Sequence, residues 1–346
     1  MLNKSVRFFP VILWVCLIFF FSCNQEGKDQ ADRLTGSDSS KNILRILNKE
    51  IGEDASNSGL YHARSRFYLS EHQFDNALKD INKAISLKPG NAVFYITLSD
   101  IYLLQGQTNN CNESLIKAMT VDPKNLEAVV KMAKLCLIMK DYPRTFDYVK
   151  RAIELNPVNP QAYFIRSVAL LEKGDTSLAV TDLMKAVDQD QQFYEAYIQL
   201  GELFSIRKNP MAADYLKNAL ALQPKSREAL YMLGMFYQET GQYDQAIAVY
   251  HRLQKADTSF RNAPYNIGYI YMVYLKDFSS AILYFTEAIK KDPVYFEAYY
   301  NRGYAEELMG NFKKSYEDYQ MTLKIKVNYD KAIEGLNRLD KGRFRK

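Results

Sequence analysis

Residues that could support catalysis are few in this sequence of 346 residues. The three histidines, His62, His72 and His251, are scattered, and no nucleophile elbow, HExxH motif, phosphate-binding glycine loop or CxxC pair occurs. Lys and Arg number 45 against 40 for Asp and Glu, a balance that argues against a nucleic-acid binder. The sequence therefore predicts a protein that is not an enzyme and has no metal site and no cofactor.

The sequence around Cys23 predicts a covalent modification of this cysteine. Residues 1–7 are basic and residues 8–21 are uninterruptedly apolar, and Ser22 and Cys23 follow. This order is typical of a signal peptide, and the apolar run is shorter than the ~20 residues that a membrane-crossing helix needs. A small residue followed by cysteine resembles a bacterial lipobox, although Phe20 stands where the motif favours leucine. Lipoproteins of the Bacteroidetes type relax that position.

The lipobox resemblance implies cleavage after residue 22 and acylation of Cys23. The implied location is the cell envelope of a Gram-negative bacterium, with an outer-membrane lipoprotein as the expected form and the periplasmic or surface face left open. An ordinary signal peptide and an uncleaved signal anchor are the alternatives. Cys111 and Cys136 fall at positions between predicted helices, and we interpret them as small buried hydrophobic residues rather than as a disulfide.

The segment between the signal and the main body divides into two parts. Residues 23–40 are polar and rich in Gly, Ser and Asp, which predicts a flexible tether next to the lipid. Residues 41–57 include Ile43, Leu44 and Leu47 on one predicted helix face, which predicts a lead-in helix.

Small residues recur about every 34 positions through the rest of the chain, and such a period indicates repeated helix pairs. One column of small or apolar residues is Ala84, Ala118, Ala152, Ala186, Ala219, Leu253, Ala288 and Thr322. Another, entirely small, is Ser65, Ser99, Ala133, Ser167, Gly201, Gly234, Gly268 and Gly303. Small side chains allow paired helices to approach closely, and larger side chains fill the remaining gaps.

The pattern resembles the tetratricopeptide repeat, a helix-turn-helix unit of 34 residues, and the best match contains Leu233, Gly234, Tyr237, Ala246 and Tyr250. The resemblance implies an all-α protein, a right-handed α-solenoid of about eight repeats. Repeats 1 to 8 are predicted at 58–91, 92–125, 126–159, 160–193, 194–226, 227–260, 261–295 and 296–329. Residues 330–346 are predicted to form a C-terminal capping helix and a basic tail. With its lipobox-like N-terminus, the chain resembles envelope tetratricopeptide lipoproteins of the Bacteroidetes type.

Two of the eight repeats differ in length from the others. One repeat is shorter than the usual length by one residue, and the missing residue lies between Gly201 and Ala212. Another is longer by one residue, and the extra residue lies between Gly268 and Ala281. We therefore predict that both changes lie in the turn between the two helices of a repeat.

Three repeats carry a charged pair where the others carry neither charge. Arginine stands at position 7 and aspartate at position 23 of repeats 1, 4 and 8. We predict three salt bridges between the helices of these repeats, whose net stabilisation is offset by desolvation. The pairs are Arg64 with Asp80, Arg166 with Asp182, and Arg302 with Asp318.

Tetratricopeptide arrays are binding scaffolds, and the resemblance implies that positions 2, 5, 6, 9, 12 and 13 face a concave groove. In the last repeats these positions are rich in tyrosine and asparagine, which provide contact area and hydrogen bonds to an extended peptide. Some of these side chains are equally expected to pack within the scaffold. The candidate groove residues are Gln199, Tyr231, Met235, Gln238, Asn262, Tyr265, Asn266, Tyr269, Tyr300, Asn301 and Tyr304.

The sequence thus predicts a lipid-anchored scaffold or adaptor that binds a protein or peptide segment in the groove. The alternative is capture of a carbohydrate or small molecule by stacking on groove tyrosines. The arrangement that binds acidic C-terminal tails in this family is absent, because His62, Arg66 and Thr97 stand where it has Lys, Asn and Asn. The sequence leaves the partner and the oligomeric state open, and nucleic acid is not an expected partner.

Overall fold

A computed structural model describes residues 30–343 of the chain, and the side chains of residues 41–340. The predicted signal segment 1–22 and Cys23 lie outside the described residues. Within residues 30–343 the regular structure is helical throughout, with eighteen α-helices and one short π-helix. The chain is therefore all-α, as the repeat pattern predicts.

Eight helix pairs make up most of the chain. The first helices of the pairs are α2 (Ser58–Ser70), α4 (Ala92–Leu104), α6 (Leu126–Ile138), α8 (Pro160–Glu172), α10 (Tyr194–Ile206), α12 (Arg227–Glu239), α14 (Asn262–Ile270) and α16 (Phe296–Leu308). The second helices are α3 (Phe74–Leu87), α5 (Thr108–Val121), α7 (Tyr142–Leu155), α9 (Thr176–Gln189), α11 (Met211–Leu222), α13 (Tyr243–Ala256), α15 (Phe278–Lys291) and α17 (Phe312–Ile325).

One helix precedes the pairs and one follows them. Helix α1 spans Gln30–Glu53, so residues 30–40, for which the composition predicts a tether, are helical. Proline is absent from this stretch, so every residue keeps the backbone N–H that a helix uses, although Ser, Thr, Asp and Gly outnumber the better helix formers in it. Helix α18 (Asp330–Arg343) packs on α17, where the sequence predicts a capping helix.

Within residues 30–343 the chain divides into two compact halves, and the boundary falls between Asp182 and Leu183, inside α9. Within each half, helices pack mainly on the helices next to them in sequence. None of the helices within residues 30–343 combines the length and the apolar character that crossing a bilayer requires.

Asparagine residues set the start of the first helices in the N-terminal half. The side chains of Asn57, Asn91, Asn125 and Asn159 each accept a hydrogen bond from a backbone N–H in the first turn of α2, α4, α6 and α8. Such a cap satisfies a donor that the helix itself leaves unpaired. In the C-terminal half Ser226 caps α12 in the same way.

The small residues of the repeat pattern lie where helices of a pair cross most closely. Gly234 in α12 faces Tyr250 in α13, and a Cβ atom at Gly234 would stand 2.5 Å from a carbon of that ring. Gly201 faces Leu216 and Gly268 faces Phe285 in the same manner. A large buried side chain of the second helix therefore occupies the space that the small residue of the first helix leaves.

The two repeats of unusual length accommodate the change near the turn between their helices. In repeat 7 the extra residue widens the end of the first helix into the π-helix Tyr271–Leu275, after α14. In repeat 5 the second helix, α11, starts late, at Met211, and has 12 residues where the other second helices have 14. Neither change alters the position of the small residues that hold the pair together.

The turn between the two helices of each pair contains one residue with positive φ. This residue is alternately a non-glycine residue and a glycine along the chain. Gly106, Gly174, Gly241 and Gly310 occupy the position in repeats 2, 4, 6 and 8. In repeats 1, 3, 5 and 7 it is held by His72, Lys140, Lys208 and Lys276, with φ between 52° and 58°. A side chain with a Cβ atom is strained in this left-handed conformation.

We expect Lys140→Gly to raise the free energy of unfolding by about 0.5 to 1 kcal/mol, because relief of left-handed strain exceeds the added entropy of the unfolded chain. Urea unfolding followed by circular dichroism measures the change. The matched control is Gly174→Ala, which places a Cβ atom at the equivalent turn, where φ is 87°, and should be destabilising. Loss of stability in the Lys140→Gly protein would contradict this assignment of strain.

Candidate functional site

The candidate groove residues lie on the first helices α10, α12, α14 and α16 of the C-terminal half. Helices α10 and α12 contact one another directly. Hydrogen bonds between side chains link α12 to α14 and α14 to α16. The first helices of repeats 5 to 8 therefore form one row within this half.

Asn301 and Tyr265 form the bond that joins α16 to α14. The Asn301 Nδ2 donates to the Tyr265 hydroxyl oxygen at 2.9 Å. Asn301 is only 7% exposed, and burial raises the pKa of Tyr265, so its phenol stays neutral at physiological pH. The asparagine thus uses one amide hydrogen to fix a tyrosine of the preceding repeat.

Asn266 takes part in a second set of hydrogen bonds around a buried tyrosine. Its Nδ2 donates to the Tyr250 hydroxyl oxygen at 3.2 Å and contacts the Met235 Sδ at 3.6 Å. The Tyr250 hydroxyl donates in turn to the Gln238 Oε1 at 3.0 Å. Three of the candidate groove residues are therefore held by one another and by Tyr250, a residue of the repeat pattern that was not a groove candidate.

Tyr295 completes the polar contacts of repeat 7, because its hydroxyl donates to the Asn262 Oδ1 at 3.1 Å. Its ring lies 4.9 Å from the ring of Tyr265, centre to centre. Tyr295 was not among the candidate groove residues, because it lies immediately before α16, in the turn between repeats 7 and 8. Only a search that includes the turns between repeats would have found it.

Several candidate tyrosines pack against other rings. Tyr300 lies parallel to Tyr304 at 6.3 Å and also contacts the rings of Tyr319 and Tyr329. Burial raises the pKa of Tyr300 to about 12, so it too remains neutral. Tyr269 contacts Tyr274 edge to face, and Tyr231 contacts Phe260 in the same way. Of these eight rings, that of Tyr319 is fully buried, that of Tyr274 is exposed, and the other six are partly buried.

Gln199 is the candidate that the structure does not bring into these contacts. It lies on α10, is 7% exposed, and makes no side-chain hydrogen bond within residues 41–340. Its polar atoms are not sealed from solvent.

The charged pairs of repeats 1, 4 and 8 are formed as the sequence predicts. In each, the guanidinium donates two hydrogen bonds to the two carboxylate oxygens, at 2.6 to 2.8 Å. The aspartate side chains of Asp80, Asp182 and Asp318 are only 4%, 6% and 9% exposed. These pairs lie inside the helix pairs and are part of the scaffold.

Cys111 and Cys136 are buried and carry free thiols. Burial raises the pKa of Cys111 to about 12 and also raises that of Cys136. Both thiols are therefore protonated and unreactive at physiological pH, and they pack against Leu115, Met132 and Leu135.

The first helices of the N-terminal half carry different contacts. The His62 Nε2 lies 2.8 Å from the Thr97 hydroxyl, and the Lys131 Nζ donates to the Asp100 Oδ1 at 2.7 Å. Lys131 also lies 3.7 Å from the Glu127 Oε1. Lys131 is thus paired with carboxylates of its own helix and of the preceding first helix.

Consecutive helix pairs of similar length, with a hydrogen-bonded row of tyrosine, asparagine and glutamine on the first helices of the C-terminal half, define a helical-repeat scaffold. Three family models, each described as tetratricopeptide repeat, match the chain at residues 58–91 and 92–125, 147–193 and 272–326, and 211–263. The chain belongs to the tetratricopeptide repeat proteins, which are generally scaffolds for protein interactions.

Known proteins are similar to this chain over its repeats. The human Protein O-mannosyl-transferase TMTC3 is 27% identical over 147 residues, which is 41% of this chain and 16% of that protein. The human Superkiller complex protein 3 is 27% identical over 103 residues, 30% of this chain and 6% of that protein. The chain therefore spans a small part of the length of either relative.

A solved structure shares the fold. The C-terminal part of a TPR repeat-containing protein from Cytophaga hutchinsonii has 16% sequence identity and a TM-score of 0.50. The match covers 80% of this chain and 99% of that one.

Proposed function

We propose that the chain is a non-enzymatic adaptor, lipid-anchored through Cys23 in the envelope of a Gram-negative bacterium. In this proposal it binds an extended peptide or protein segment on the first helices of repeats 5 to 8. The observation that carries the proposal is the hydrogen bonding of the Asn266 and Asn301 side chains. Each amide donates a hydrogen bond to a tyrosine, while neither side-chain oxygen accepts one within residues 41–340.

A fixed amide with a free acceptor suits main-chain recognition. The tyrosine hydroxyls hold the Asn266 and Asn301 amide groups in place, so little side-chain entropy is lost when a ligand binds. A peptide N–H can donate to each oxygen, and the second amide hydrogen of Asn301 can donate to a peptide carbonyl. The neighbouring tyrosines add neutral, amphipathic contact area around these two points.

The packing of the tyrosines favours a peptide over a sugar. Stacking on a carbohydrate requires an open ring face, but Tyr300 contacts three other tyrosine rings. Tyr265 contacts Phe285 and Tyr295 in a similar way. The row therefore offers ring edges and polar atoms more than free faces, and edges and polar atoms are what a peptide backbone contacts.

A pulldown from detergent-solubilised envelopes tests the adaptor function. We expect a protein to be recovered in a stoichiometric amount with the full chain and to be lost with Tyr269→Ala plus Asn301→Ala, because this variant removes contact area and a backbone-binding amide. The matched control is Tyr215→Ala plus Asn218→Ala, which removes the same residue types from α11, a second helix, and should retain the protein.

Two results would contradict the proposed binding of a protein segment on repeats 5 to 8. Recovery of no protein, together with a rise in melting temperature on addition of envelope glycans, would replace the adaptor with a carbohydrate-binding protein. Retention of the protein by the Tyr269 and Asn301 variant would move the binding surface elsewhere.

The lipid anchor is tested separately, because it depends only on the N-terminal sequence. Metabolic labelling with an alkyne fatty acid should mark the wild-type chain in its native host, and Cys23→Ser should abolish the label. The control variant is Cys16→Ser, which should be labelled normally, since that cysteine lies within the apolar run. Equal labelling of wild type and Cys23→Ser would contradict the anchor.

A further inference from the structure

The turns between the first and second helices of repeats 5 to 8 lie side by side along one edge of the C-terminal half. Each turn contacts the next through one pair of residues: Lys208 with Glu239, Tyr243 with Tyr274, and Ser279 with Met309. We call this surface the turn edge, and its residues are 206–211, 239–245, 274–280 and 308–314. The contacts make it continuous from repeat 5 to repeat 8.

Large apolar side chains are exposed on the turn edge. Six of them are between 42% and 59% exposed: Ile206, Tyr274, Leu275, Leu308, Met309 and Phe312. The turns that join one repeat to the next lie elsewhere and, within residues 183–340, carry two large exposed apolar side chains, Val294 and Val327. Exposed apolar surface that is concentrated in one place marks a site of interaction.

Cations accompany the apolar side chains of the turn edge. They are Arg207, Lys208, Lys276, Lys313 and Lys314, all exposed, and the acidic residues of the turn edge are Glu239, Asp244 and Asp277. Within residues 41–340 only Lys314 of these cations forms an ion pair, with Glu306 at 3.8 Å. In the turns between repeats, by contrast, two arginines pair with aspartates of the following repeat: Arg227 with Asp257, and Arg261 with Asp292. The turn edge therefore keeps positive charge for an anionic partner.

Exposed apolar side chains next to unpaired cations are the composition that binds a lipid interface. The apolar groups enter the boundary between headgroups and acyl chains, and Lys and Arg remain at the anionic headgroups. The chain is also held near a bilayer in its proposed form, because six residues, 24–29, separate Cys23 from the start of α1 at Gln30. At about 3.6 Å per residue this connection spans no more than about 25 Å.

We propose that the turn edge of repeats 5 to 8 rests on the surface of an anionic bilayer. The side chains of Leu275, Leu308 and Phe312 enter the interface, and the neighbouring lysines bind headgroup phosphates. This contact uses none of the candidate groove residues, so the row of first helices stays available for a peptide. The inference rests on the proposed lipid anchor and adds to it the side of the C-terminal half that faces the membrane.

Single tryptophans test the contact, because Trp14 is the only tryptophan in the sequence. The full chain with Trp14→Phe is reconstituted into vesicles of phosphatidylethanolamine and anionic phosphatidylglycerol whose acyl chains are brominated. Leu275→Trp and Phe312→Trp should each show blue-shifted emission and quenching by the bromines, which requires contact with the acyl chains. The matched control is Val294→Trp, which is 65% exposed in a turn between repeats and should be neither shifted nor quenched.

Charge variants test the part played by the lysines. Lys276→Gln plus Lys313→Gln should lower the ratio of lipid-contacting to free Phe312→Trp probe by about 25-fold, since each cation near an anionic surface strengthens binding by about fivefold. Lys225→Gln plus Lys326→Gln makes the same change of net charge in the turns between repeats and should leave the quenching unchanged. All of these side chains are exposed, so the melting temperatures should stay equal and show that the fold is intact.

Flotation of the vesicles on a density gradient separates this contact from the proposed anchor. A chain that floats while the Leu275→Trp and Phe312→Trp probes remain unquenched would overturn the contact and leave the anchor in place. Equal quenching of the Val294→Trp probe would also overturn it, because no side of the chain would then be preferred. Blue-shifted emission without quenching would replace the bilayer with a protein surface, such as a second copy of the chain. A chain that does not float would overturn the anchor and the contact together.

Discussion

Replacing Arg302 with leucine is expected to lower the free energy of unfolding by about 3 to 5 kcal/mol, the usual cost of removing one partner of a buried ion pair. The substitution leaves Asp318, whose side chain is 9% exposed, without its two hydrogen bonds from the guanidinium. Urea unfolding measures the total change. Amide hydrogen exchange in α16 and α17 shows whether the loss is local to repeat 8, as expected for a chain of repeats.

The penalty in the Arg302→Leu protein should shrink as the pH falls. Burial already raises the pKa of Asp318, against the opposing effect of Arg302, and loss of the arginine raises it further. A carboxyl whose pKa is higher in the folded chain holds its proton more tightly there, so acid favours the folded state. The difference between variant and wild type should therefore be smaller near pH ~5 than near pH ~8.

A double variant provides the control for this ion pair. Arg302→Leu plus Asp318→Val reproduces the uncharged residues that repeat 6 has at these positions, Leu233 and Val249, both buried. Because no unpaired charge remains, most of the stability should return. If the double variant were as unstable as Arg302→Leu alone, the loss would come from packing and the proposed cause would be wrong.

Tyr250→Ala is expected to lower the free energy of unfolding by about 3 to 5 kcal/mol, as truncation of a large core side chain does. The ring is fully buried against Gly234, a residue with no side chain to fill the space. The hydroxyl also bonds to Gln238 and Asn266, so the truncation removes one hydrogen bond from each of two candidate groove residues. Thermal and urea unfolding give the change in stability.

Tyr250→Phe separates packing from hydrogen bonding. It keeps the ring and should cost only about 1 kcal/mol, the net value of a buried hydrogen bond. It should nevertheless weaken recovery of the protein partner, because Asn266 loses one of the hydrogen bonds that fix its amide. A Tyr250→Phe protein as unstable as Tyr250→Ala would contradict the view that the ring provides most of the stability.

The fold could be predicted from the sequence because repetition averages out local ambiguity. A single alanine such as Ala118 says little, but eight equivalents in phase specify both the helix crossings and the turns between them. The ion pair of Arg166 and Asp182 was predictable for the same reason, since both charges appear together or not at all. Helix α1 was only partly predictable, because it lies outside the repeats and its polar residues are compatible with helix and with coil.

The candidate site was predictable in position and less so in detail. Repeat phase placed Asn266 and Asn301 on the row of first helices, but their tyrosine partners come from neighbouring helices whose side-chain directions the phase does not give. Whether Tyr300 offers a free face depends on three other rings, a property of packing rather than of spacing.

The π-helix Tyr271–Leu275 has a consequence for how such a chain can evolve. One added residue is absorbed within a single widened turn, so Gly268 before it and Ala281 after it keep their places in the core. Insertions and deletions at this edge therefore do not rotate the residues that face a partner. Evolution can therefore lengthen or shorten these turns and change one edge of the protein without altering the proposed binding row on the first helices.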